Sequence, residues 1–417
     1  MIFIYRFLIN IIFVLSPIII IFRLIKRKEH PIRFKEKFLI RSAKRKKGKL
    51  IWFHGASVGE ILSIIPLIEK LEKQINIDQI LLTSSTLSSA KIFAKFNLRK
   101  TTHQFFPIDT NFYSKKFLEY WKPSLVIFVE SEIWPNMLIN LKKKSINHIL
   151  LNARMSKKSY KKWKLLKFFS RKLFLSFNII FPQNKETSKF LASLGAKNIK
   201  SIGNLKFSEN EFNTKLNLNN NTKKFLKTKL HWCGSSTHNS EELICSNVHK
   251  NLNNKYKNLL TIIIPRHISR TYEIIKLIKR LGLKIHCHSW NKKIDKNTQI
   301  YLVDTYGETK LFFKESKLVF LGGSIIEHGG QNPLEAARYG CKIIHGPHIK
   351  NFNEIYSLLK KNKFSNLVNN EKQLTRTVDI LLKKKINSKA LVNKIQHLGN
   401  NILNSTLKEI NLLINTK

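Results

Sequence analysis

Short apolar runs that alternate with longer amphipathic segments constrain this chain most, and they extend from residue 49 to residue 344. Runs of three to five apolar residues predict buried strands, and the segments between them, such as 61–73 and 88–96, have the apolar spacing of helices. Strands that alternate with helices form parallel sheets, which bind ligands at the carboxyl ends of their strands. The predicted strands are residues 50–54, 79–83, 125–129, 148–151, 178–181, 230–233, 260–264, 284–286, 300–303, 318–321 and 342–344.

A polar, asparagine-rich segment divides this alternation into two parts. Residues 208–226 (SENEFNTKLNLNNNTKKFL) are typical of a connector, and 417 residues exceed the size at which a single core stops growing. We therefore predict an α/β fold of two Rossmann-like domains that face a cleft. The predicted parts are a membrane anchor (1–28), an N-terminal domain (29–207), a linker (208–226) and a C-terminal domain (227–417) whose residues 385–417 are helical.

The N-terminus carries an apolar run. Residues 7–22 (FLINIIFVLSPIIIIF) are interrupted only by Asn10, Ser16 and Pro17, which is near the lower length limit of a membrane-spanning helix. No small-residue cleavage site follows, so an uncleaved anchor is favoured over a signal peptide. The basic cluster in residues 23–28 then predicts a single pass with the rest of the chain in the cytoplasm. The alternative is a buried amphipathic helix.

The charge balance is strongly basic, with 75 lysines and arginines against 26 aspartates and glutamates and a formal net charge of +49. This excess favours an anionic partner, such as nucleic acid, an anionic lipid surface or a phosphorylated substrate. Compositional drift explains it equally well, because the lysines are spread over the whole chain. The signature of RNA-recognition sheets is missing from the sequence, so we expect no nucleic-acid partner.

The four cysteines form no CxxC pair, as is typical of a reducing compartment. The sequence His286-Cys287-His288 suggests a metal site. On a strand, however, Cys287 faces away from both histidines, so we predict no metal ligand here.

A loop of small residues with an acid at its end follows the first predicted strand. In His54-Gly55-Ala56-Ser57-Val58-Gly59-Glu60, small residues let a ligand approach the backbone, and Glu60 can act as a general base. Ser57 and Glu60 also have the spacing of a helix capping box. The residues alone favour neither interpretation.

Three further strand ends of the first domain carry charged residues. Glu130, in Val129-Glu130-Ser131-Glu132-Ile133-Trp134-Pro135, ends a hydrophobic strand where packing gives no reason for a carboxylate. Arg154 follows the next strand in Leu151-Asn152-Ala153-Arg154-Met155-Ser156, and Lys206 lies in Gly203-Asn204-Leu205-Lys206-Phe207 just before the linker. Parallel strands would gather these groups at one edge of the sheet.

The second domain has candidate nucleotide-binding segments. Gly234-Ser235-Ser236-Thr237-His238, with Glu241-Glu242 after it, is a strand followed by a hydroxyl-rich helix start suited to phosphate. Arg266 and His267 follow another strand, and Tyr306-Gly307-Glu308-Thr309 follows a third. The last segment is Gly322-Gly323-Ser324 with Gly329-Gly330-Gln331-Asn332-Pro333-Leu334-Glu335, where a helix cap is again the alternative role for the acid.

In this order, these segments closely resemble the 3-deoxy-D-manno-octulosonic acid (Kdo) transferases of lipopolysaccharide inner-core synthesis. The segments that match are HGASVGE, ESEIWPN, LNARMSKKS, GNLKF, GSSTH, PRH and GGQNPLE, between about residue 49 and residue 355. The apolar N-terminus also fits the family, whereas Ser131 stands where its usual pattern has threonine.

The resemblance implies a GT-B glycosyltransferase that moves Kdo from CMP-Kdo to a lipid A precursor at the inner membrane. It implies that the first domain binds acceptor and the second binds CMP. Glu60 matches the general base, and Glu130 and Lys206 match positions that stabilise the transition state. The residues that match CMP-contacting positions are Arg266, His267, Gly307, Glu308, Thr309, Asn332, Pro333, Leu334 and Glu335.

The chemistry is consistent with these roles. An acceptor hydroxyl must lose its proton as it attacks the anomeric carbon, and a single displacement opposite CMP inverts that carbon. CMP carries one phosphate and the chain has no D-x-D sequence, so we expect no metal and no cofactor. Two alternatives stay open: a GT-B transferase of lipid-linked acceptors that uses a UDP-sugar, and a basic, membrane-tethered nucleic-acid-binding protein.

Overall fold

The computed structural model describes residues 1–40, 43–209, 217–384 and 386–415. The chain forms two compact units: unit 1 comprises residues 1–210 and 398–417, and unit 2 comprises residues 211–397. Each unit contains one parallel sheet with helices, so the predicted division into two α/β parts is confirmed.

Unit 1 is built on a six-stranded parallel sheet in the order β3-β2-β1-β4-β5-β6. Its strands are β1 (Leu50–His54), β2 (Gln79–Ser84), β3 (Thr101–Phe105), β4 (Leu125–Val129), β5 (Asn147–Ala153) and β6 (Ile179–Pro182). Its first eight helices are α1 (Ile2–Ile25), α2 (Val58–Glu72), α3 (Leu87–Phe93), α4 (Asn111–Trp121), α5 (Pro135–Lys143), α6 (Lys157–Leu165), α7 (Lys167–Phe174) and α8 (Lys185–Ser193). Two 3-10 helices span Arg33–Phe38 and Leu205–Ser208.

Both faces of the unit 1 sheet are covered, which explains why its central strands contain continuous apolar runs. Along β1, Ile51 and Phe53 join one buried cluster, whereas Leu50 and Trp52 join the other. This separation follows from the alternation of side chains along a strand. Polar side chains that could contact a ligand are therefore found at the ends of β1, β4 and β5.

Unit 2 is built on a seven-stranded parallel sheet in the order β13-β12-β11-β7-β8-β10-β9. The strands are β7 (Leu230–Thr237), β8 (Leu259–Pro265), β9 (Ile285–Cys287), β10 (Ile300–Leu302), β11 (Leu318–Leu321), β12 (Lys342–His345) and β13 (Ser365–Leu367). The helices are α9 (Asn220–Lys227), α10 (Glu241–Asn253), α11 (Thr271–Arg280), α12 (Thr309–Glu315), α13 (Leu334–Arg338), α14 (Asn353–Lys361) and α15 (Glu371–Leu382). A 3-10 helix spans Ile268–Arg270.

All the predicted strands are present, and two further strands were not predicted. β3 (TTHQF) has three partly exposed polar residues and β13 (SNL) is only three residues long. Both are edge strands, which are covered less than central ones and so lack a continuous apolar run. Cys287 packs in the unit 2 core, whereas His286 stacks on Tyr301 with ring centroids 5.6 Å apart, which confirms that neighbouring side chains of this segment face apart.

The predicted linker differs from the structure. Within 208–226, residues 210–216 lie outside the described residues. The remainder is not a simple connector, because α9 begins at Asn220 and Leu226 is buried. Thr222 of this helix lies 3.3 Å from the Tyr301 hydroxyl, so α9 is part of unit 2.

The C-terminal helix departs from the predicted domain boundary. Helix α16 (Ser388–Asn415) confirms a helical tail, but its residues from 398 onward belong to unit 1. Leu403, Ile410 and Ile414 are buried in the same cluster as Ile61 and Leu71 of α2. A sequence pattern shows that such a helix has an apolar face, but not which core covers it.

Helix α1 is the one helix of the described residues that is long and apolar enough to cross a membrane. Most of its surface is exposed, and only Ser16 and Ile20 are buried. It begins before the apolar run used for the prediction and includes Tyr5 and Arg6, which form hydrogen bonds to unit 1.

Candidate active site

The strand order of unit 1 changes direction between β1 and β4, which lie next to each other in the sheet. The crevice outside the carboxyl ends of two such strands is the usual ligand site of an open parallel sheet. Glu60 follows β1, and Glu130 and Glu132 follow β4. The structure therefore brings together three acids that are up to 72 residues apart in the chain.

Glu60 lies in the first turn of α2. Its Oε2 accepts a hydrogen bond from the Ala56 N–H at 2.7 Å, and its Oε1 accepts one from the Ser57 hydroxyl at 2.8 Å. The Ser57 hydroxyl oxygen in turn lies 3.4 Å from the Glu60 backbone nitrogen and caps α2. The capping interpretation is thus confirmed in part. Ser57 caps the helix as expected, but the Glu60 carboxylate accepts from the Ala56 N–H and from the Ser57 hydroxyl, and not from the Ser57 N–H.

The electrostatic surroundings of Glu60 suit a base. Burial raises the pKa of its carboxyl, and the negative charges of Glu132 and Glu130 raise it further. The hydrogen bonds from Ser57 and Ala56 lower the pKa, but by less, so the net shift is upward. A Cβ atom placed at Gly59 would meet no other atom within 4 Å, so there is open space beside this turn. A carboxylate with a raised pKa and open space beside it can take a proton from a bound hydroxyl.

A network around the end of β1 was not assigned from the sequence. The buried His54 lies with Nε2 3.0 Å from Glu132 Oε2 and Nδ1 2.9 Å from the Thr83 hydroxyl. The Trp134 indole N–H donates to the same Glu132 oxygen at 2.8 Å. Burial would raise the pKa of Glu132, but its contacts with His54 and Trp134 outweigh burial and hold the pKa below its usual value.

All members of this network except Thr83 lie within the segments HGASVGE and ESEIWPN. The available signal was a histidine that ends a fully buried strand, where an imidazole needs hydrogen-bond partners. The sequence does not show which partner it has, because Glu132 follows a different strand.

Glu130 and Lys206 form an ion pair with 2.7 Å between Nζ and Oε1, and both side chains are largely buried. Glu130 has a φ of +55°, a left-handed conformation that turns the chain sharply after β4. The Leu205 N–H donates to Asn152 Oδ1 at 3.1 Å, which ties the turn carrying Lys206 to the end of β5. All three predicted catalytic residues therefore lie in unit 1, at the carboxyl edge of its sheet.

In unit 2, a cluster of basic side chains lies at the ends of β7, β8 and β11. The rings of His238 and His328 are 4.1 Å apart, and those of His238 and His267 are 5.9 Å apart. The pKa of His238 is lowered to about 4, first by burial and then by the charges of His328, His267 and Arg266. Because the strand order changes direction between β7 and β11, this cluster can bind an anion at the switch point of the second sheet.

The helix start after β7 carries two buried acids, Glu241 and Glu242, which the interpretation of GSSTH as a phosphate-binding segment did not take into account. The fully buried Glu241 carboxylate accepts hydrogen bonds from the backbone N–H groups of His238, Gly323, Ser324 and Ile325, at 2.7–3.2 Å. Thr237 and Arg270 both donate to Glu242. The acids of this segment therefore hold the loops after β7 and β11 together, and the groups suited to an anion are the basic side chains beside them.

The other predicted nucleotide-binding residues lie near strand ends of the same sheet. Gly307, Glu308 and Thr309 follow β10. The Glu308 carboxylate oxygen Oε2 lies 3.2 Å from His288 Nε2. Asn332 accepts a hydrogen bond from the Leu334 N–H at 3.1 Å, and Pro333 is buried ahead of α13. Glu335 is exposed in the first turn of α13. Only Arg266 and His267 of the predicted set belong to the histidine cluster, and Gln331 joins it 3.5 Å from His238.

Within the described ranges of the chain, no group of three His, Cys, Asp or Glu side chains could hold a metal ion.

A family model described as 3-Deoxy-D-manno-octulosonic-acid transferase (kdotransferase) matches residues 32–209. The 3-deoxy-D-manno-octulosonic acid transferase of Rickettsia bellii is 35% identical over 377 residues, which cover 89% of this chain and 89% of that protein. The transferase of the same name from Haemophilus influenzae is 31% identical over 348 residues, or 82% of this chain and 81% of that protein.

Solved structures of low sequence identity share the fold. A glycosyltransferase from Rickettsia africae superposes with a TM-score of 0.60 at 12% identity, covering 89% of this chain and 100% of that chain. A UDP-GlcNAc 2-epimerase from Neisseria meningitidis gives a TM-score of 0.58 at 12% identity, covering 87% of this chain and 100% of that one. These likenesses support the GT-B type of fold for the two Rossmann-like units and nothing about substrates.

Proposed function

Since this chain belongs to the 3-deoxy-D-manno-octulosonic acid transferase family, a family of glycosyltransferases, we propose that it transfers Kdo from CMP-Kdo to a lipid A precursor (lipid IVA) with inversion. The main support is that Glu60, Glu130 and Lys206 lie at the same edge of the unit 1 sheet. There a raised-pKa carboxylate lies near a buried ion pair.

In the proposed reaction, an acceptor hydroxyl attacks the anomeric carbon of Kdo and the bond from that carbon to the CMP phosphate oxygen breaks. The hydroxyl proton passes to the Glu60 carboxylate, and the bonding electrons leave with CMP. Glu130 holds the Lys206 ammonium in place, and this fixed positive charge can stabilise the negative charge that develops in the transition state. Attack opposite the leaving group inverts the anomeric carbon.

We place the donor nucleotide on unit 2 and the acceptor on unit 1. The support for the donor is Arg266 together with the imidazole rings of His238, His267 and His328, because a guanidinium and imidazole N–H groups can donate hydrogen bonds to the anionic CMP phosphate and Kdo carboxylate. The further proposed CMP contacts, beside Arg266 and His267, follow strands of the same sheet and are Gly307, Glu308, Thr309, Asn332, Pro333, Leu334 and Glu335.

We also propose that α1 holds the enzyme on the inner membrane with both units on the cytoplasmic side. Its thirteen exposed large apolar side chains support attachment to lipid, and a lipid acceptor would be reached there. A single crossing, as predicted from the sequence, and a helix that lies flat in the interface are two forms of such attachment.

The deciding experiment is to incubate the purified full-length protein with CMP-Kdo and a tetraacylated lipid A precursor and to determine the product mass. We expect the acceptor mass to rise by whole Kdo residues, with release of CMP. A parallel reaction with UDP-sugars as donors should give no product. Transfer from a UDP-sugar, or no transfer from CMP-Kdo while the protein is folded, would refute the proposed donor.

A further inference from the structure

Helix α1 packs against the rest of unit 1 along its whole length, through side chains that form one narrow stripe on its surface. The buried or partly buried positions recur every three or four residues, as expected for one face of a helix. They are Ile2, Tyr5, Arg6, Ile9, Phe13, Ser16, Ile20, Arg23 and Leu24. The remaining face carries thirteen exposed large apolar side chains, including Phe3 (78% exposed), Val14 (72%) and Ile25 (75%).

Polar contacts fix the N-terminal end of this stripe to unit 1. The Tyr5 hydroxyl donates to Asp109 at 2.8 Å, and Arg6 donates to Asn136 at 3.0 Å and to Asn111 at 3.1 Å. Asp109 is fully buried and also accepts from the backbone N–H groups of Asn136 and Met137 at 2.9 Å, where α5 begins. The N-terminal end of α1 is therefore bound to the polar loops at the carboxyl edge of the sheet.

The middle and the far end of α1 are also fixed. The Phe13 ring packs on Tyr113 and Phe38, with centroids 5.4 and 6.1 Å apart. Arg23 pairs with the buried Glu29 at 3.0 Å, and Lys37 pairs with the same carboxylate at 2.6 Å.

These contacts favour one of the two forms of membrane attachment. Tyr5 and Arg23 are about 27 Å apart along the helix at 1.5 Å per residue, close to the ~30 Å of a hydrocarbon core. If α1 crossed the membrane, its N-terminal end with Tyr5 and Arg6 would lie on the far side. Asp109 and Asn136 would then have to lie there too, or their hydrogen bonds to Tyr5 and Arg6 would break. Burying those polar loops in lipid is unfavourable, because no water can satisfy them there.

We propose that α1 lies in the plane of the membrane interface, with its stripe bound to unit 1 and its apolar face inserted into the cytoplasmic leaflet. This inference rests on the membrane attachment proposed above and replaces the single crossing. A helix held in the interface buries its apolar face about 5–10 Å into the leaflet, and the surface of unit 1 that covers the stripe takes the place of a polar helix face here.

The charge around unit 1 identifies the partner as an anionic lipid surface rather than a second copy of this strongly basic chain. Lys26, Arg27 and Lys28 are exposed at the C-terminal end of α1. A second basic element, which we name the α6–α7 knuckle (residues 157–172), has eight basic and no acidic residues. At its tip Leu165 and Phe168 are 85% and 91% exposed, a combination typical of segments that enter an anionic interface.

The orientation has a consequence for the reaction. Asn136, which binds Arg6, lies two residues after Trp134, whose indole contacts Glu132 of the site. A flat α1 therefore places the carboxyl edge of the unit 1 sheet next to the lipid surface. A lipid-borne acceptor could reach Glu60 sideways from the leaflet without leaving it.

The test measures the depth of three positions on α1. Phe3, Val14 and Ile25 are spaced by 11 residues, which is close to three full turns, so they lie on one face. Each is replaced by cysteine in the full-length protein, labelled with a nitroxide and bound to vesicles of phosphatidylethanolamine and phosphatidylglycerol. Collision of the label with oxygen and with a water-soluble nickel chelate then reports its depth. Unsubstituted protein controls for labelling of the native cysteines, all four of which are buried.

A flat helix predicts the same shallow depth at all three positions, and Phe168→Cys should also be shallow. A crossing helix predicts that position 14 lies near the midplane, about 15 Å deep, with positions 3 and 25 near opposite surfaces. That result would overturn the inference and leave the proposed function intact. Labels that stay in water at all three positions would overturn both the inference and the proposed membrane attachment. Kdo transfer by the same samples tests the reaction separately.

Discussion

At the scale of the residue, Glu60 has one observed role, in the first turn of α2, and one proposed role, as the general base. Its carboxylate closes the first turn of α2 and also lies where a base would be needed, near two other carboxylates. A substitution that keeps the hydrogen bonds but removes the negative charge can separate the two roles.

We expect Glu60→Gln to lower the rate of Kdo transfer about 10²–10⁴-fold, the usual contribution of a general base. The amide oxygen can still accept from Ala56, and the amide N–H can donate to the Ser57 hydroxyl, so the thermal midpoint should change little. Glu69→Gln, on the same helix about 13 Å away at 1.5 Å per residue, is the matched control. Transfer within a few-fold of the unsubstituted enzyme would assign the base elsewhere, with Glu130 as the next candidate.

The negative charge of Glu132 should affect how kcat/KM for Kdo transfer depends on pH. Burial and the negative charge of Glu132 raise the pKa of Glu60, and a base must be ionised to act. Activity should therefore fall, as pH is lowered, at a pH above the ordinary glutamate value of about 4.3. Glu132→Gln removes one negative charge, so the acid limb of kcat/KM should move to lower pH. Glu119→Gln, an exposed acid on α4, should leave the limb unchanged, and an unmoved limb in Glu132→Gln would refute this coupling.

The Glu130–Lys206 pair should behave as one unit. Lys206→Met leaves a buried carboxylate without its cation, which costs about 3–5 kcal/mol in pairs of this kind. Adding Glu130→Gln removes the uncompensated charge, so the double variant should recover most of the thermal stability. Thermal stability, measured by calorimetry, and the rate of Kdo transfer are determined for Lys206→Met, for Glu130→Gln and for the double variant. Together with the unsubstituted enzyme, these form a double-mutant cycle. Near-normal stability of Lys206→Met, or recovered transfer in the double variant, would contradict the roles given to the pair.

At the scale of the element, the contact of α16 with unit 1 bears on the site. Gly399 of α16 lies so close to the turn carrying Lys206 that a Cβ atom there would be 2.4 Å from the Phe207 carbonyl oxygen. The tail is therefore packed directly against the 3-10 helix Leu205–Ser208.

Gly399→Ala tests this packing. Within an exposed helix the change would stabilise by up to about 1 kcal/mol. Here we expect destabilisation of about 1–3 kcal/mol from the forced close contact, together with slower Kdo transfer because Lys206 is displaced. Asn400→Ala, on the exposed side of the same helix, should be neutral or slightly stabilising. A more stable Gly399→Ala would show that the tail does not pack on this turn.

At the scale of the whole molecule, the two units divide the proposed work, with acceptor chemistry in unit 1 and donor binding in unit 2. This division predicts that binding and turnover can be impaired independently.

We expect Arg266→Ala to weaken CMP binding by about 1.5–3 kcal/mol, the scale of a hydrogen bond to a charged group. Glu60→Gln should bind CMP normally in the same calorimetric titration. Arg280→Ala, on α11 in the same unit, controls for loss of general positive charge. Equal CMP affinities for Arg266→Ala and Arg280→Ala would remove Arg266 from the donor site.

The sequence by itself determined the architecture of this protein and the location of its candidate sites. Buried parallel strands need continuous apolar runs, so the central strands and the division into two α/β units follow from local pattern. A carboxylate at the end of such a run has no packing reason to be there, which singled out Glu130, whereas Glu60 stayed a candidate with a helix cap as its alternative role until the family resemblance favoured the base.

Only the tertiary structure decided which of these residues act together. The partners of His54, the pairing of Glu130 with Lys206 and the return of α16 to unit 1 all join segments that are distant in the chain. The same holds for α1, whose composition allows a crossing but whose Tyr5 and Arg6 bind loops more than 100 residues away. Hydrophobic periodicity reports whether a face is buried, whereas the surface that covers it depends on how distant segments pack.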